Sequence, residues 1–154
     1  PRFGFVTELP EGYDKMRFYG KGPFENYCDR GDAAMLAVYD GAVSDFGRCY
    51  LTPQEYGNHT EMRWLEVYGE NKPTFSLRYV GKPFEASVNE YSIEQLDNTT
   101  HRHLLNKTGR LTVTFDGRQR GVGGDTPAVA CTKTQYKIMP LKKHQFGVEL
   151  TFGK

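Results

Sequence analysis

Leu111-Thr112-Val113-Thr114-Phe115 alternates apolar and polar residues without a break. In an extended chain successive side chains point to opposite faces, so this segment has one apolar face and one polar face. That is the pattern of a half-buried strand. The same period of two returns near the end of the chain, where Phe146, Val148, Leu150 and Phe152 alternate with Gly147, Glu149 and Thr151. Working outward, weaker runs of the same kind predict strands over Phe3 to Leu9, Met16 to Tyr19, Met35 to Tyr39, Met62 to Tyr68, Thr74 to Val80, Glu85 to Glu90, His101 to Leu105 and Gln135 to Met139. Most of the 17 glycines and 8 prolines fall between these runs, where turns need them. A single helix is predicted after Ser92, an N-cap residue type with Glu94 in the first turn, and it ends near Asn98. Many short strands with glycine and proline turns and one short helix predict an all-β fold, an antiparallel β-sandwich.

The 154 residues fit one domain, and a domain of this size buries roughly two thirds of the surface its unfolded chain exposes. No repeat, linker composition or low-complexity tract divides the chain. Twenty Lys and Arg balance nineteen Asp and Glu at a net charge of +1, with no basic run to displace counterions from a phosphate backbone. Nucleic acid is therefore not an expected partner. No apolar run approaches the ~18 residues that suggest a membrane-spanning helix, and Pro1-Arg-Phe-Gly-Phe-Val-Thr-Glu-Leu-Pro10 has neither a basic lead nor an apolar signal core. A soluble chain with no membrane partner is expected. Its opening on a strand-like run predicts a piece of a longer protein. Cys28, Cys49 and Cys131 are odd in number and widely spaced, which suits free thiols of a reducing compartment rather than a disulfide framework or a zinc site. The expected location is the cytoplasm, with the periplasm as the alternative. Asn58-His-Thr60, Asn98-Thr-Thr100 and Asn106-Lys-Thr108 are acceptor triplets of a frequent kind and are expected to be unmodified.

Gly121-Val122-Gly123-Gly124-Asp125 has the look of a phosphate loop, but Thr126 stands where a dinucleotide fingerprint needs its third glycine. Pro127 follows where a helix would start. Two readings remain: a plain turn, or a ligand-accessible loop in which glycines admit close backbone approach and Asp125 offers acceptors. His101 and His103, two apart on a predicted strand, would face the same way, yet no further ligand has suitable spacing and no metal is expected in this chain. No nucleophile sits in a GxSxG-like elbow. Glycoside hydrolysis needs two carboxyl groups placed across a sugar, and Glu25, Glu55 and Glu61 are available. Isolated glutamates on a sandwich are usually solvated or bonded to turns, so no catalytic residue is assigned. Phe24, Tyr27, Tyr56 and Trp64 are the rings placed in or beside loops, either to stack on a sugar or to anchor the core.

These loops carry a resemblance. Tyr19-Gly-Lys-Gly-Pro-Phe-Glu-Asn-Tyr-Cys-Asp-Arg30 resembles the YGxGPxENYxDR stretch of the small-chain domain of family 2 β-galactosidases. Four further segments follow in that family's order: Pro53-Gln-Glu-Tyr-Gly-Asn58 running on to Arg63-Trp64, Tyr91-Ser92 running on to Gln95-Leu96, Thr100-His-Arg-His103, and Gly121-Val-Gly-Gly-Asp125. Pro1-Arg-Phe-Gly4 resembles the strand that begins the second half of that domain, so the chain is expected to be the domain without its N-terminal half. The resemblance implies a β-supersandwich packed against a central barrel that carries the catalytic glutamates. It also implies Mg and Na ions bound in other domains, none in this chain, and a homo-oligomeric parent enzyme acting on β-galactosides. It further implies that the loop at Gly123, Gly124, Asp125, Thr126 and Ala128 reaches the substrate rim. The family offers a Trp three residues beyond the Asp, where this sequence has Ala128. The expected function is thus that of a non-catalytic accessory domain of a β-galactosidase, inactive by itself. A free-standing carbohydrate-binding sandwich and a purely structural contact module are the competing readings.

Overall fold

The structure is a computed structural model and describes residues 1–124 and 131–153. Among these the chain forms strands β1 (Arg2–Leu9), β2 (Lys15–Gly22), β3 (Met35–Ala42), β4 (His59–Met62), β5 (Trp64–Tyr68), β6 (Thr74–Val80), β7 (Phe84–Asn89), β8 (Leu111–Gln119) and β9 (Gly147–Gly153). Helix α1 (Ile93–Asn98) and short 3-10 turns at Val43–Asp45, Arg102–Leu104 and Thr134–Tyr136 complete it. The strands make two antiparallel sheets, β1-β8-β7-β4 and β3-β2-β5-β6-β9, packed face to face as the alternation predicts.

Period two explains the core. Met16 and Phe18 on β2, Leu65 and Val67 on β5, and Phe75 and Leu77 on β6 point inward from one sheet. Leu9, Met62, Phe84, Ala86, Val88, Leu111, Val113 and Phe115 meet them from the other. Each of these buried side chains larger than alanine contributes about 1.5–3 kcal/mol. Helix α1 starts as predicted: the Ser92 hydroxyl accepts the Gln95 N–H at 3.1 Å, and Leu96 buries the inner face of the helix.

Several sequence expectations need correction. Met62 to Tyr68 is not one strand, because the chain changes sheets at Arg63. Glu61 there adopts a φ of 54°, and Arg63 joins β2 through its N–H to the Tyr19 carbonyl at 2.8 Å. Alternation continues through the corner and hides it. His101 to Leu105 is a 3-10 turn rather than a strand, and its Arg102 N–H bonds the Leu51 carbonyl of a loop at 3.1 Å, not a ladder. Gln135 to Met139 likewise begins in the 3-10 turn at Thr134–Tyr136 and pairs with no strand among the described residues.

The half-buried reading of β8 also changes. From Leu111 to Asp116 every residue is buried on both faces. The outer, polar face of this sheet carries Glu85 opposite Asp116, Ser87 opposite Thr114 and Asn89 opposite Thr112. The loops around residues 23–30 and 46–58 reach this layer. At the other end of the sandwich, between the edge strands β1 and β9, the ring of Phe146 just before β9 packs on Phe3 at 5.5 Å and Phe5 at 6.0 Å. Phe5, Leu150 and Phe152 stay 61%, 45% and 58% exposed although their phase points them inward.

Candidate functional site

Asn26 organises the polar layer. Its side-chain N–H groups donate to the Lys21 and Phe24 carbonyls at 2.9 and 3.1 Å, while its Oδ1 accepts the Thr60 N–H at 2.9 Å and the Thr60 hydroxyl at 2.6 Å. All four capacities of the amide are used inside a site closed to water. The neighbouring backbone closes the pair: the Asn26 N–H donates to the Asn58 carbonyl at 2.7 Å, and the Asn58 amide returns to the Asn26 carbonyl at 2.9 Å and to Glu85 at 3.1 Å. Asn89 fixes the same loop by donating to the Tyr56 carbonyl at 3.1 Å. Buried His59 lies against the Phe18 ring at 4.7 Å, and its two nitrogens face the Gly57 and Pro23 carbonyls at 2.9 and 3.1 Å. Burial holds its imidazole below the usual range.

Glu25 binds the next shell. Its carboxylate accepts from Arg30, from the Tyr50 hydroxyl and from the Gly57 N–H. Tyr50 belongs to a loop that the Thr100-His-Arg-His103 turn holds, because Arg102 donates from its backbone to Leu51 and from its guanidinium to the Cys49 carbonyl at 3.3 Å. Asp29 reaches the other way. Its Oδ1 accepts the Val122 N–H at 3.1 Å and its Oδ2 accepts the Gly123 N–H at 2.8 Å. A Cβ on Gly121 would stand 2.4 Å from that carboxylate and 2.8 Å from Tyr136, so only glycine admits the approach.

Beneath these loops lies a pair of carboxyl groups that strand periodicity did not single out. Asp116 is fully buried, and Gly4 on β1 leaves it room: a Cβ there would meet the Asp116 carboxylate at 1.9 Å. Burial pushes the Asp116 carboxyl up to about 6, with Arg2, whose Nε is 3.8 Å away, opposing and Glu85 adding. Burial raises Glu85 as well, against its hydrogen bond from Asn58. The signal available in the sequence was a carboxylate at a polar phase of the most regular strand.

The glutamates considered for catalysis are all engaged in structure. Glu25 joins two loops, Glu55 pairs with Arg2, and Glu61 pairs with Lys21 at 3.0 Å. Of the candidate rings, Tyr27 and Tyr56 are buried, Trp64 is half-buried on β5, and Phe24 is 52% exposed. Burial raises the hydroxyls of both tyrosines above the usual phenol range. His101 and His103 stack at 5.6 Å, and no set of three His, Cys, Asp or Glu side chains converges among the described residues. Gly123 and Gly124, with Asp29, Lys133 and Tyr136, line a cavity of about 180 Å³. Asp125, Thr126 and Ala128 lie outside the described residues. The three cysteines are free thiols, and burial raises that of Cys28 to about 11.

Comparison with known proteins accounts for this arrangement. The family model described as "Beta galactosidase small chain" matches residues 1–150. A β-galactosidase of Halalkalibacterium halodurans is 34% identical over 138 residues, covering 90% of this chain and 14% of that enzyme. The β-galactosidase BgaC of Bifidobacterium adolescentis is 36% identical over 152 residues, covering 97% of this chain and 14% of its own length. A β-galactosidase of Priestia megaterium is 34% identical over 139 residues, covering 90% and 13% respectively. The chain thus spans about one seventh of the curated relatives it matches. Motifs in that family's order, folded into one hydrogen-bonded layer on a two-sheet sandwich, agree with the match: the chain belongs to the β-galactosidase small-chain family.

Proposed function

We propose that this chain is a non-catalytic part of a β-galactosidase, in which it buttresses the catalytic barrel and shapes the rim of the galactoside site. The observation that carries this reading is that the motif loops form one hydrogen-bonded layer ending on the backbone of Gly121 to Gly123. Such a layer gives a loop a fixed base from which to meet a ligand. Glu25, Glu55 and Glu61 are each held by a cation or a loop N–H, which suits scaffolding rather than attack on a sugar. The exposed inward phase of β1 and β9 supports a domain whose N-terminal half packs on this edge. In this reading the Mg and Na ions of the parent are bound by its other domains. The free thiols support a cytoplasmic enzyme. A free-standing carbohydrate-binding sandwich is less well supported, because three of the four candidate rings are wholly or partly packed into the fold.

Sugar stacking gains from burying a large flat apolar face, and the alanine methyl at position 128 buries little of it. In the parent enzyme, Ala128→Trp should tighten binding of an added glucose acceptor by about 1 kcal/mol, read as a larger share of transgalactosylation over hydrolysis. An unchanged share and unchanged KM would show that the loop is remote from sugar.

A further inference from the structure

We infer that Asp29 is the positioning residue for the glycine loop, and that its carboxylate sets the acceptor side of the galactoside site without touching substrate. The inference rests on the rim reading above but concerns a residue 93 positions before Val122 in sequence. Both carboxylate oxygens are spent on consecutive backbone amides, Val122 at 3.1 Å and Gly123 at 2.8 Å. Charge-assisted bonds of this kind are stronger than neutral ones, and two on one carboxylate fix direction as well as distance. The clasp is reinforced from the far side of the loop. The Gly121 N–H donates to the Tyr136 carbonyl at 3.0 Å, and the Thr132 hydroxyl donates to the Gly121 carbonyl at 3.0 Å. Glycine at 121 is what lets Asp29 come this close. Asp29 is in turn carried by a segment that is itself tied down: Tyr27 and Arg30 exchange backbone hydrogen bonds at 3.0 and 2.9 Å, and the Arg30 guanidinium lies over the Tyr27 ring at 5.0 Å. The two motifs therefore act as holder and held. A displacement of the loop base by a fraction of an ångström would move the rim while leaving a reaction centre built elsewhere in place.

The test uses the intact parent enzyme with Asp29→Asn, which keeps the shape but turns one acceptor into a donor facing an N–H, and Asp29→Glu as the charge-conserving control. Hydrogen exchange at the Val122 and Gly123 amides should speed up at least tenfold in Asp29→Asn. The KM for glucose as acceptor should rise about fivefold, while hydrolytic kcat stays within about twofold and Asp29→Glu recovers part of both effects. Unchanged exchange at the two amides overturns the clasp. Faster exchange with no change in acceptor KM, while Ala128→Trp does shift that KM, overturns the positioning role and leaves the rim reading standing. If neither variant moves acceptor KM, the rim reading itself fails and takes the inference with it. A loss of kcat equal to the loss in acceptor kcat/KM would mean general destabilisation and would also overturn it.

Discussion

The outer face of the β1-β8-β7-β4 sheet and the β1/β9 edge invert the usual rule. Glu85, Ser87, Asn89, Thr112, Thr114 and Asp116 are polar and buried, whereas Phe5, Leu150 and Phe152 are apolar and exposed. The difference lies in what covers each region. The polar face is roofed by the chain's own motif loops, from which Asn58 donates to Glu85 and the Tyr56 carbonyl accepts from Asn89, while Ser87 and Thr114 bond each other and, among the described residues, Asp116 has only the Arg2 guanidinium as a partner. At the apolar edge the Phe146 ring packs on Phe3 and Phe5, yet Phe5, Leu150 and Phe152 stay exposed. Exposed inward-facing aromatics on two edge strands are the signature of a surface that another layer packs against.

The largest effect that would break this contrast is expected at Asn26. Asn26→Ala removes four hydrogen bonds from a buried site and strands their partners, at a cost of about 3–4 kcal/mol. Urea unfolding measures it; a loss below about 1 kcal/mol would mean that the roof is not held from this residue.

The buried carboxyl of Asp116 gives the second. Its folded value of about 6 lies above the ordinary aspartate value of 3.8, so the folded chain keeps a proton that the unfolded chain has released between those values. Stability from this group is therefore highest at low pH, falls as pH rises from about 4 through 6, and stays reduced by about 2–3 kcal/mol above that. Glu85 acts in the same direction. Asp116→Asn should flatten this part of the profile and leave the protein more stable than wild type at pH 7. Denaturation midpoints between pH 4 and 7.5 decide it, and an unchanged slope in the variant would assign the dependence elsewhere.

The smallest effect on stability belongs to the open edge. Phe5→Lys with Phe152→Lys should cost only about 1 kcal/mol, because both rings are more exposed than buried. The same pair should abolish the self-association expected of the isolated chain, which light scattering reports. A wild-type chain that stays monomeric at high concentration would mean that this edge needs no cover.

How far the sequence discloses each region follows from the same contrast. Strands at Thr74–Val80, Leu111–Gln119 and Gly147–Gly153 were legible because alternation is a local signal. The sheet change at Arg63 was not, since a corner keeps the phase of both strands and shows itself only in the φ of Glu61. His101 and His103 imitate strand spacing, but the stretch between them is a 3-10 turn tied to Leu51. Within the site, the motif residues Glu25, Asn26, Arg30, Gly57 and Asn58 were visible in the sequence, but their pairing across the two loops was not. Thr60 meets Asn26, and Glu85 meets Asn58, only where tertiary folding brings their strands to those loops. Asp116 was hidden for a related reason: a polar phase reads as solvent-facing until a second layer covers it.

In the function proposed above, this chain supports a galactoside site without performing the chemistry. The decisive assay is hydrolysis of a chromogenic β-galactoside by the purified chain, with cooperative unfolding confirmed by circular dichroism on the same sample. No turnover above buffer is predicted, because an oxocarbenium-like transition state needs an acid and a nucleophile positioned across the sugar. Turnover that disappears in Glu25→Gln, Glu55→Gln or Glu61→Gln would contradict it.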